Sequence, residues 1–277
     1  MSTYYGRHFV TTEWDRELPL HLTSVGLVEQ SPIDRENGFG SLHWLHTVEG
    51  SGLFTVNGIT MKLQPNHGIL MKAGTPHSYR PESERWTTWY MTFDGALANP
   101  IVASLSLPLN APVSWSDNSP LSFIHEQYGE KFGYSFDFAG VNGSLEVYAF
   151  LALLKKYGQS SGQISLSKGH ERLKPIYLLI EERYGDAALG LDRMAQQLGV
   201  SPQYLNKLFR LSWGMSPYQY LVQFRIQKSK EKLLADRDRT VKDIAADVGF
   251  QDDSHFVHTF RKQSGMTPVQ FRSLFGQ

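Results

Sequence analysis

Two sets of residues in this 277-residue chain carry side chains suited to reading a polyanion. Gln203, Asn206, Lys207 and Arg210 recur at spacings of three and four, and Ser254, His255, His258, Arg261 and Lys262 form a comparable set further on. Amides, hydroxyls, imidazoles and cations of this kind hydrogen-bond base edges in a major groove, with the remaining cations set against phosphates. A third set, Arg35, His77, Tyr79, Trp86 and Tyr90, mixes aromatic platforms with a cation and polar tips. That mixture suits a hydroxylated small molecule held in a pocket. Trp89 adjoins Tyr90, and successive strand residues face opposite ways, so at most one of the two enters such a pocket.

Other chemistries find no support. The chain has no cysteine, which excludes disulfides, thiolate zinc sites and cysteine nucleophiles. His43 and His46, three apart on a strand, point to opposite faces and cannot converge on one metal ion, and Glu49 with His77 is too small a set. No Gly-x-Ser-x-Gly and no Gly-rich phosphate loop occurs. The expectation is a protein that is not an enzyme, with no metal and no cofactor.

The elements that position the first two sets announce themselves by a repeat. FRLSWGMSPYQY, from Phe209, returns as FRKQSGMTPVQF, from Phe260, fifty-one positions later. Upstream of each copy lies a short amphipathic helix holding a small residue (Ala195, Ala245), a turn with Gly199 or Gly249, and a second helix. Each is a helix-turn-helix pattern. Ser201-Pro202 supplies an N-cap with proline in the first turn, and Thr240 with Asp243 reads as a variant capping box. At 100° per residue Leu205, Leu208 and Phe209 share one side of the first unit's second helix, leaving Gln203, Lys207 and Arg210 opposite and Asn206 on the flank. Phe256 and Phe260 do the same in the other unit, leaving its polar set outward. A solvated helix face would explain either polar set alone; its recurrence in a second copy favours an interface. Between the units runs YQYLVQFRIQKSKEKLLADRD, with Leu221, Phe224, Leu233 and Leu234 among its apolar positions. As one helix it would hold the two units at a fixed separation, as successive grooves about 34 Å apart require.

The two parts of the chain differ in charge and pattern. Residues 171–277 hold 16 lysines and arginines against 12 acids, residues 1–170 hold 11 against 15, and the whole chain has no net charge. The basic part is the one with the repeat. From Leu20 to Phe93 the runs SLHWLHTV, GLFTVNG, ITMKLQP, HGILMKAG and WTTWYMTF alternate and end at Gly, Pro or Asn, the pattern of an antiparallel sandwich or barrel. Val56-Asn57-Gly58 reads as a tight hairpin, and QPNHG and AGTPH as corners. LSFIHEQYGEKF and SLEVYAFLALLKKYG then read as two helices, and GQSSGQISLSKGH, residues 158–170, as a flexible linker. The expected fold class is α+β, with a sheet domain over 1–157 and an all-α domain over 171–277. No run of eighteen apolar residues and no basic-then-apolar leader pattern occurs, which leads us to expect a cytoplasmic protein.

The run LDRMAQQLGVSPQYLNKLFRLSWGMSPYQYL, then FRIQKSKEKLL, then VKDIAADVGFQDDSHFVHTFRKQSGMTPVQFR resembles the DNA-binding domain of the AraC/XylS family of transcription regulators, over about Lys174 to Leu274. The resemblance implies a tandem of two helix-turn-helix units on double-stranded DNA. It places base contacts at Gln203, Asn206 and Lys207, and at Asp253, Ser254, His255 and His258. Asp253 departs from the expected chemistry, since a carboxylate is repelled by phosphates. The segment from about Ile33 to Gly95, including YRPESERWTTWYMTFDG, resembles the cupin-like sensor of the family's sugar-responsive branch. That implies a sugar effector, a homodimer and contact with RNA polymerase, with Tyr90 rather than Trp89 facing the ligand and Arg35 at a sugar-touching position. The rival reading is a constitutive DNA binder, or a regulator answering a non-sugar effector. In the constitutive case the barrel only dimerises, through the helix carrying Leu145, Tyr148, Leu151, Ala152 and Lys155.

Overall fold

A strand of ordinary length serves one neighbour on each side, but two strands here run long enough to serve two in succession. The computed structural model describes residues 4–134, 137–160, 165–236 and 238–276, and it divides into two units, 1–167 and 168–277. The first unit contains β1 (Tyr5–His8), α1 (Glu13–Glu17), β2 (His21–Glu29), β3 (Ile33–Arg35), β4 (Leu42–Val56), β5 (Ile59–Leu63), β6 (His67–Met71) and β7 (His77–Asp94). After them come α2 (Ala98–Ser104), β8 (Pro112–Ser114), a 3-10 turn, α3 (Ile124–Gly133) and α4 (Gly140–Tyr157). All pairings are antiparallel, in the order β1-β2-β7-β4-β6-β8, with β3 on β7 and β5 on β4. β4 pairs with β6 over His43–His46 and with β5 over Gly52–Val56; β7 pairs with β3 near His77 and with β2 nearer its end. The sheet therefore bends across both long strands into a barrel-like pair of layers.

The sequence separates SLHWLHTV from GLFTVNG at Glu49-Gly50-Ser51-Gly52, whereas the structure joins them. The glycines do not end the strand. They make register shifts at Thr47/Glu49 and Gly50/Gly52, bulges that bend a ladder without breaking it. The hairpin at Asn57 (φ 52) and Gly58 (φ 75) has both central residues left-handed, as a tight two-residue turn requires.

Alternation along the two long strands separates two cores. Trp44, Trp89, Met91 and Phe93 pack outward beneath α4 with Val147, Phe150, Leu151 and Leu154. Leu45, Phe54, Leu63, Ile69, Tyr79 and Trp86 fill the space between the layers. His43 and His46 divide in the same way: His46 lies against Trp44, Trp89 and Trp115, and His43 on the inner side near His77 and Tyr90.

His46 has a measurable consequence. Trp44 donates its indole N–H to His46 Nδ1 at 2.9 Å, and burial brings the His46 pKa down to about 3. The folded protein thus keeps it neutral, and the unfolded chain binds the extra proton between that value and about 6.5. The resulting stability is complete above the unfolded pKa and is lost on acidification, about 2 kcal/mol of it by pH 5. In His46→Gln, which can still accept from Trp44, the drop in unfolding free energy between pH 7 and pH 5 is expected to be smaller by that amount. Identical pH slopes in denaturant titrations would refute this.

The second unit is helical: α5 (Leu166–Arg183), α6 (Leu191–Leu198), α7 (Pro202–Trp213), α8 (Pro217–Ala235), α9 (Val241–Asp247), α10 (Asp253–Ser264) and α11 (Pro268–Phe275). The expected linker, 158–170, is corrected at both ends. Gln159 bridges to Ser114 and α5 already begins at Leu166. Gly169 is buried where α5 meets α7, since a Cβ there would lie 2.5 Å from Ser212 Oγ. Residues 161–164 lie outside the described residues.

The repeated phrase is a helix stop followed by a helix start. Gly214 (φ 69) and Gly265 (φ 74) end α7 and α10 in the left-handed conformation. Ser216 and Thr267 then cap α8 and α11, and Gln219 and Gln270 complete reciprocal capping boxes behind prolines. At Thr240 only half of such a box forms: its oxygen accepts from the Asp243 N–H, while its hydroxyl, not its backbone, donates to the Asp243 carboxylate. The helices enclose two small cores. Leu221 of α8 joins the first, with Leu205, Leu208 and Phe209, and Ile226 and Leu233 join the second, with Phe256 and Phe260.

Candidate nucleic-acid interface and small-molecule cavity

α7 begins with Ser201 accepting from the Tyr204 N–H and with Pro202 in the first turn. It buries Leu205, Leu208 and Phe209, so Gln203, Lys207 and Arg210 are exposed on the other side and Asn206 is half-buried at the margin. α10 is capped by Asp252, which accepts from the His255 N–H at 2.6 Å. Phe256 and Phe260 anchor it, leaving Ser254, His255, His258, Arg261 and Lys262 exposed and Asp253 half-buried. Each polar set is thus gathered on one helix face.

Charge pairing sharpens the picture. Four other cations of this unit are paired: Arg193 with Asp186, Lys228 with Glu231, and Lys232 and Arg239 with Asp247. Among the described residues, Lys207, Arg210, Arg261 and Lys262 make no such pair. Exposed cations without carboxylates nearby can approach phosphates without first breaking an ion pair. The cap Asp252, which the sequence reading missed, puts a carboxylate at the start of α10; the polar residue three positions before His255 was the available signal.

Between the layers of the first unit lies a cavity of about 210 Å³ lined by His8, Ser24, Val28, Gln30, Ile33, Arg35, Phe39, His43, Tyr79, Tyr90 and Thr92. Arg35 enters because β3 pairs with β7 in the register Arg35 opposite His77. Its Nη1 lies 3.3 Å from His43 Nδ1 and 3.4 Å from His77 Nε2, and its guanidinium sits 4.9 Å from the Phe39 ring centre and 5.9 Å from that of Tyr79. His77 Nδ1 is 2.8 Å from the Thr75 carbonyl, so Nδ1 carries the proton and Nε2 is left to accept. The His77, Phe54 and Tyr79 rings lie nearly parallel to one another, with their centres 5.5 to 6.2 Å apart. Burial, then the Arg35 charge and His77, holds His43 well below the usual imidazole range. His77 is lowered in the same sense, chiefly by burial. Burial raises both Tyr79 and Tyr90, which keeps their phenols protonated.

Of the five pocket residues expected from sequence, Arg35, Tyr79 and Tyr90 meet on this cavity, and His77 adjoins it through Arg35. Trp86 does not reach it, which corrects its expected placement. Its ring is fully buried and it donates to Thr47 Oγ1 at 2.9 Å. The ring occupies the room left by Gly52, where a Cβ would lie 2.5 Å from three of its atoms. Trp89 packs beneath α4 and Tyr90 faces inward. His43, Phe39, Gln30, Ser24, Thr92 and His8 line the cavity without having been assigned to it from sequence. His43 had a usable signal, since it shares its strand face with the inward Leu45; His8 had none. Among the described residues no group of three or more metal-ligating side chains gathers, and no helix is long and apolar enough to cross a membrane.

Comparisons with known proteins agree with this division. Residues 194–273 match the model of a helix-turn-helix domain and residues 33–126 that of an AraC-like ligand binding domain. The chain is 27% identical over 261 residues to the Msm operon regulatory protein of Streptococcus mutans, covering 90% of this chain and 92% of that one. It is 30% identical over 123 residues to the HTH-type transcriptional activator RhaS of Escherichia coli, 44% of each chain. Among solved structures, the C-terminal domain of the two-component response regulator yesN from Fusobacterium nucleatum is 33% identical, at a TM-score of 0.35, over 37% of this chain and 98% of that one.

Proposed function

We propose that this chain, which belongs to the AraC family of transcription regulators and joins a ligand-binding domain to a DNA-binding one, answers a sugar and activates genes for carbohydrate uptake or breakdown. The observation that carries the DNA-binding part is the presence of two second helices whose outward cations lack carboxylate partners. Gln203, Asn206 and Lys207 read bases from α7. Ser254, His255 and His258 do so from α10, and Arg210, Arg261 and Lys262 hold phosphates.

Arg35, Tyr79 and Tyr90 contact the effector, and His77 positions Arg35. The small cavity, with its aromatic and hydroxyl lining, supports a ligand of monosaccharide size. Activation is supported by the likeness to RhaS, a transcriptional activator. The protein acts in the cytoplasm as a homodimer, and Val141, Leu145 and Tyr148, exposed along one face of α4, supply the pairing surface. Leu151, whose spacing in sequence suits either a partner helix or its own barrel, packs into its own sheet domain. Effector occupancy alters how the DNA-binding domain engages its sites and RNA polymerase, and this is allosteric if each ligand changes affinity for the other.

The test uses a duplex selected by the full chain from a random pool. Lys207→Ala is expected to weaken binding about tenfold, most on the preferred sequence. Arg210→Ala is expected to weaken it on all sequences and to reduce the salt slope by about one. Wild-type titration curves for both variants would remove α7 from the interface.

A further inference from the structure

The side chains around the cavity carry one positive charge and no carboxylate. Arg35 is half-buried, and its polar neighbours are two imidazoles that burial keeps neutral. No Asp or Glu lines the cavity. Asp34 and Glu36, adjacent in sequence, are exposed, and among the described residues Arg35 makes no ion pair. The phenols of Tyr79 and Tyr90 are further donors. Ser24 Oγ and Thr92 Oγ1 lie 2.6 Å apart and bond to each other, and the Gln30 amide donates to Thr88 Oγ1 at 2.6 Å, so the acceptors here are neutral hydroxyl and amide oxygens.

A neutral polyol presents as many hydroxyl donors as acceptors, and a site that holds one needs acceptors of its own, most effectively carboxylates. This cavity has no carboxylate to offer, and its guanidinium makes no ion pair in surroundings that strengthen Coulomb attraction. The planar fork of an arginine matches an oxyanion in a bidentate fashion. The Phe39 and Tyr79 rings beside the guanidinium help hold its plane in place.

We infer that the effector is an anionic sugar derivative, of monosaccharide size, whose oxyanion is bound by Arg35 with Tyr79 and Tyr90 donating to the remaining oxygens. This rests on the reading that the cavity senses a sugar. It narrows the class to sugar acids or sugar phosphates.

The test is the thermal unfolding midpoint of the full chain with matched sets of ligands: galactose, galacturonate, galactonate and galactose 6-phosphate, and the corresponding glucose set. A charged member at a hundredfold excess over its Kd is expected to raise the midpoint by about 5 °C or more, and its neutral parent is expected to leave it unchanged. The carboxylate and phosphate arms tell the two oxyanion sources apart. Arg35→Gln should abolish the shift, and Arg35→Lys, which keeps the charge and loses the fork, should retain part of it. If Arg35→Gln does not fold, the comparison of acid with neutral parent on the unsubstituted chain still decides. A neutral sugar that stabilises as well as its acid overturns the inference and leaves the sugar reading standing. An acid-induced shift that survives in Arg35→Gln overturns the assignment to Arg35. No shift from any member of either set overturns the sugar reading along with the inference.

Discussion

Arg225→Ala is expected to cost the helical domain about 3 kcal/mol and to weaken operator binding beyond the loss of folded protein. Arg225 lies mid-way along α8 and is only 3% exposed. It donates from Nε to the Tyr184 carbonyl and from Nη2 to the Asp186 carbonyl, each at 2.8 Å. Both carbonyls follow the end of α5, in the first helix-turn-helix unit. From the second, Gly249 (φ 87) packs against the same guanidinium, which a Cβ there would approach to 2.8 Å. Truncation leaves the Tyr184 carbonyl without this donor and the Asp186 carbonyl with only the Leu189 N–H, at about 1–3 kcal/mol, together with a void. Lysine should not restore the wild-type state, because one ammonium cannot reproduce the planar fork that reaches both acceptors. Since the side chain ties α8 to both units, its loss should also loosen the separation between α7 and α10. Denaturant unfolding followed at Trp213, the one tryptophan after residue 168, gives the stability change, and DNA titration at saturating folded fraction gives the rest. A wild-type midpoint in Arg225→Ala would show that the guanidinium is not what joins the units.

Gly52→Ala is expected to destabilise the sheet domain by about 3 kcal/mol, the upper end of the usual cost of overpacking. The added methyl would sit 2.5 Å from three atoms of the Trp86 ring. That ring cannot retreat, because it donates to Thr47 and meets Tyr79 edge-on in the inner core. Gly58→Ala is the control. Unlike Gly52, it carries a positive φ, and it has open space around it, so it should cost only the backbone strain of about 1 kcal/mol. Emission from the buried Trp44, Trp86 and Trp89 during unfolding reads both changes. Equal losses in the two variants would mean that the Trp86 contact at residue 52 costs no more than the backbone strain of one left-handed alanine.

Much of the DNA-binding face was legible because the relevant signals are local. A helix stop at glycine, a Ser/Thr cap, proline in the first turn and glutamine at the third position act within one or two turns of chain. The opposition of Leu205 and Phe209 to Lys207 and Arg210 follows from helical geometry alone. In the sheet domain, alternation correctly opposed Trp89 to Tyr90 and His43 to His46.

What the sequence by itself determined, then, is the type of the main elements, the opposed faces of α7 and α10 and of the Trp89/Tyr90 and His43/His46 pairs, the tandem helix-turn-helix pattern and the α+β class. These depend on backbone periods and on interactions a few residues apart. The tertiary structure alone decided that β4 runs through its glycines, that β4 and β7 bend, and that α5 starts inside the expected linker. It also decided that Trp86 closes the inner core while His43 and Phe39 reach the cavity, and that Arg225 joins two units through carbonyls about forty residues away in the chain. Each of these depends on which distant segment fills a given space, and alternation names a side chain's face without naming what that face meets.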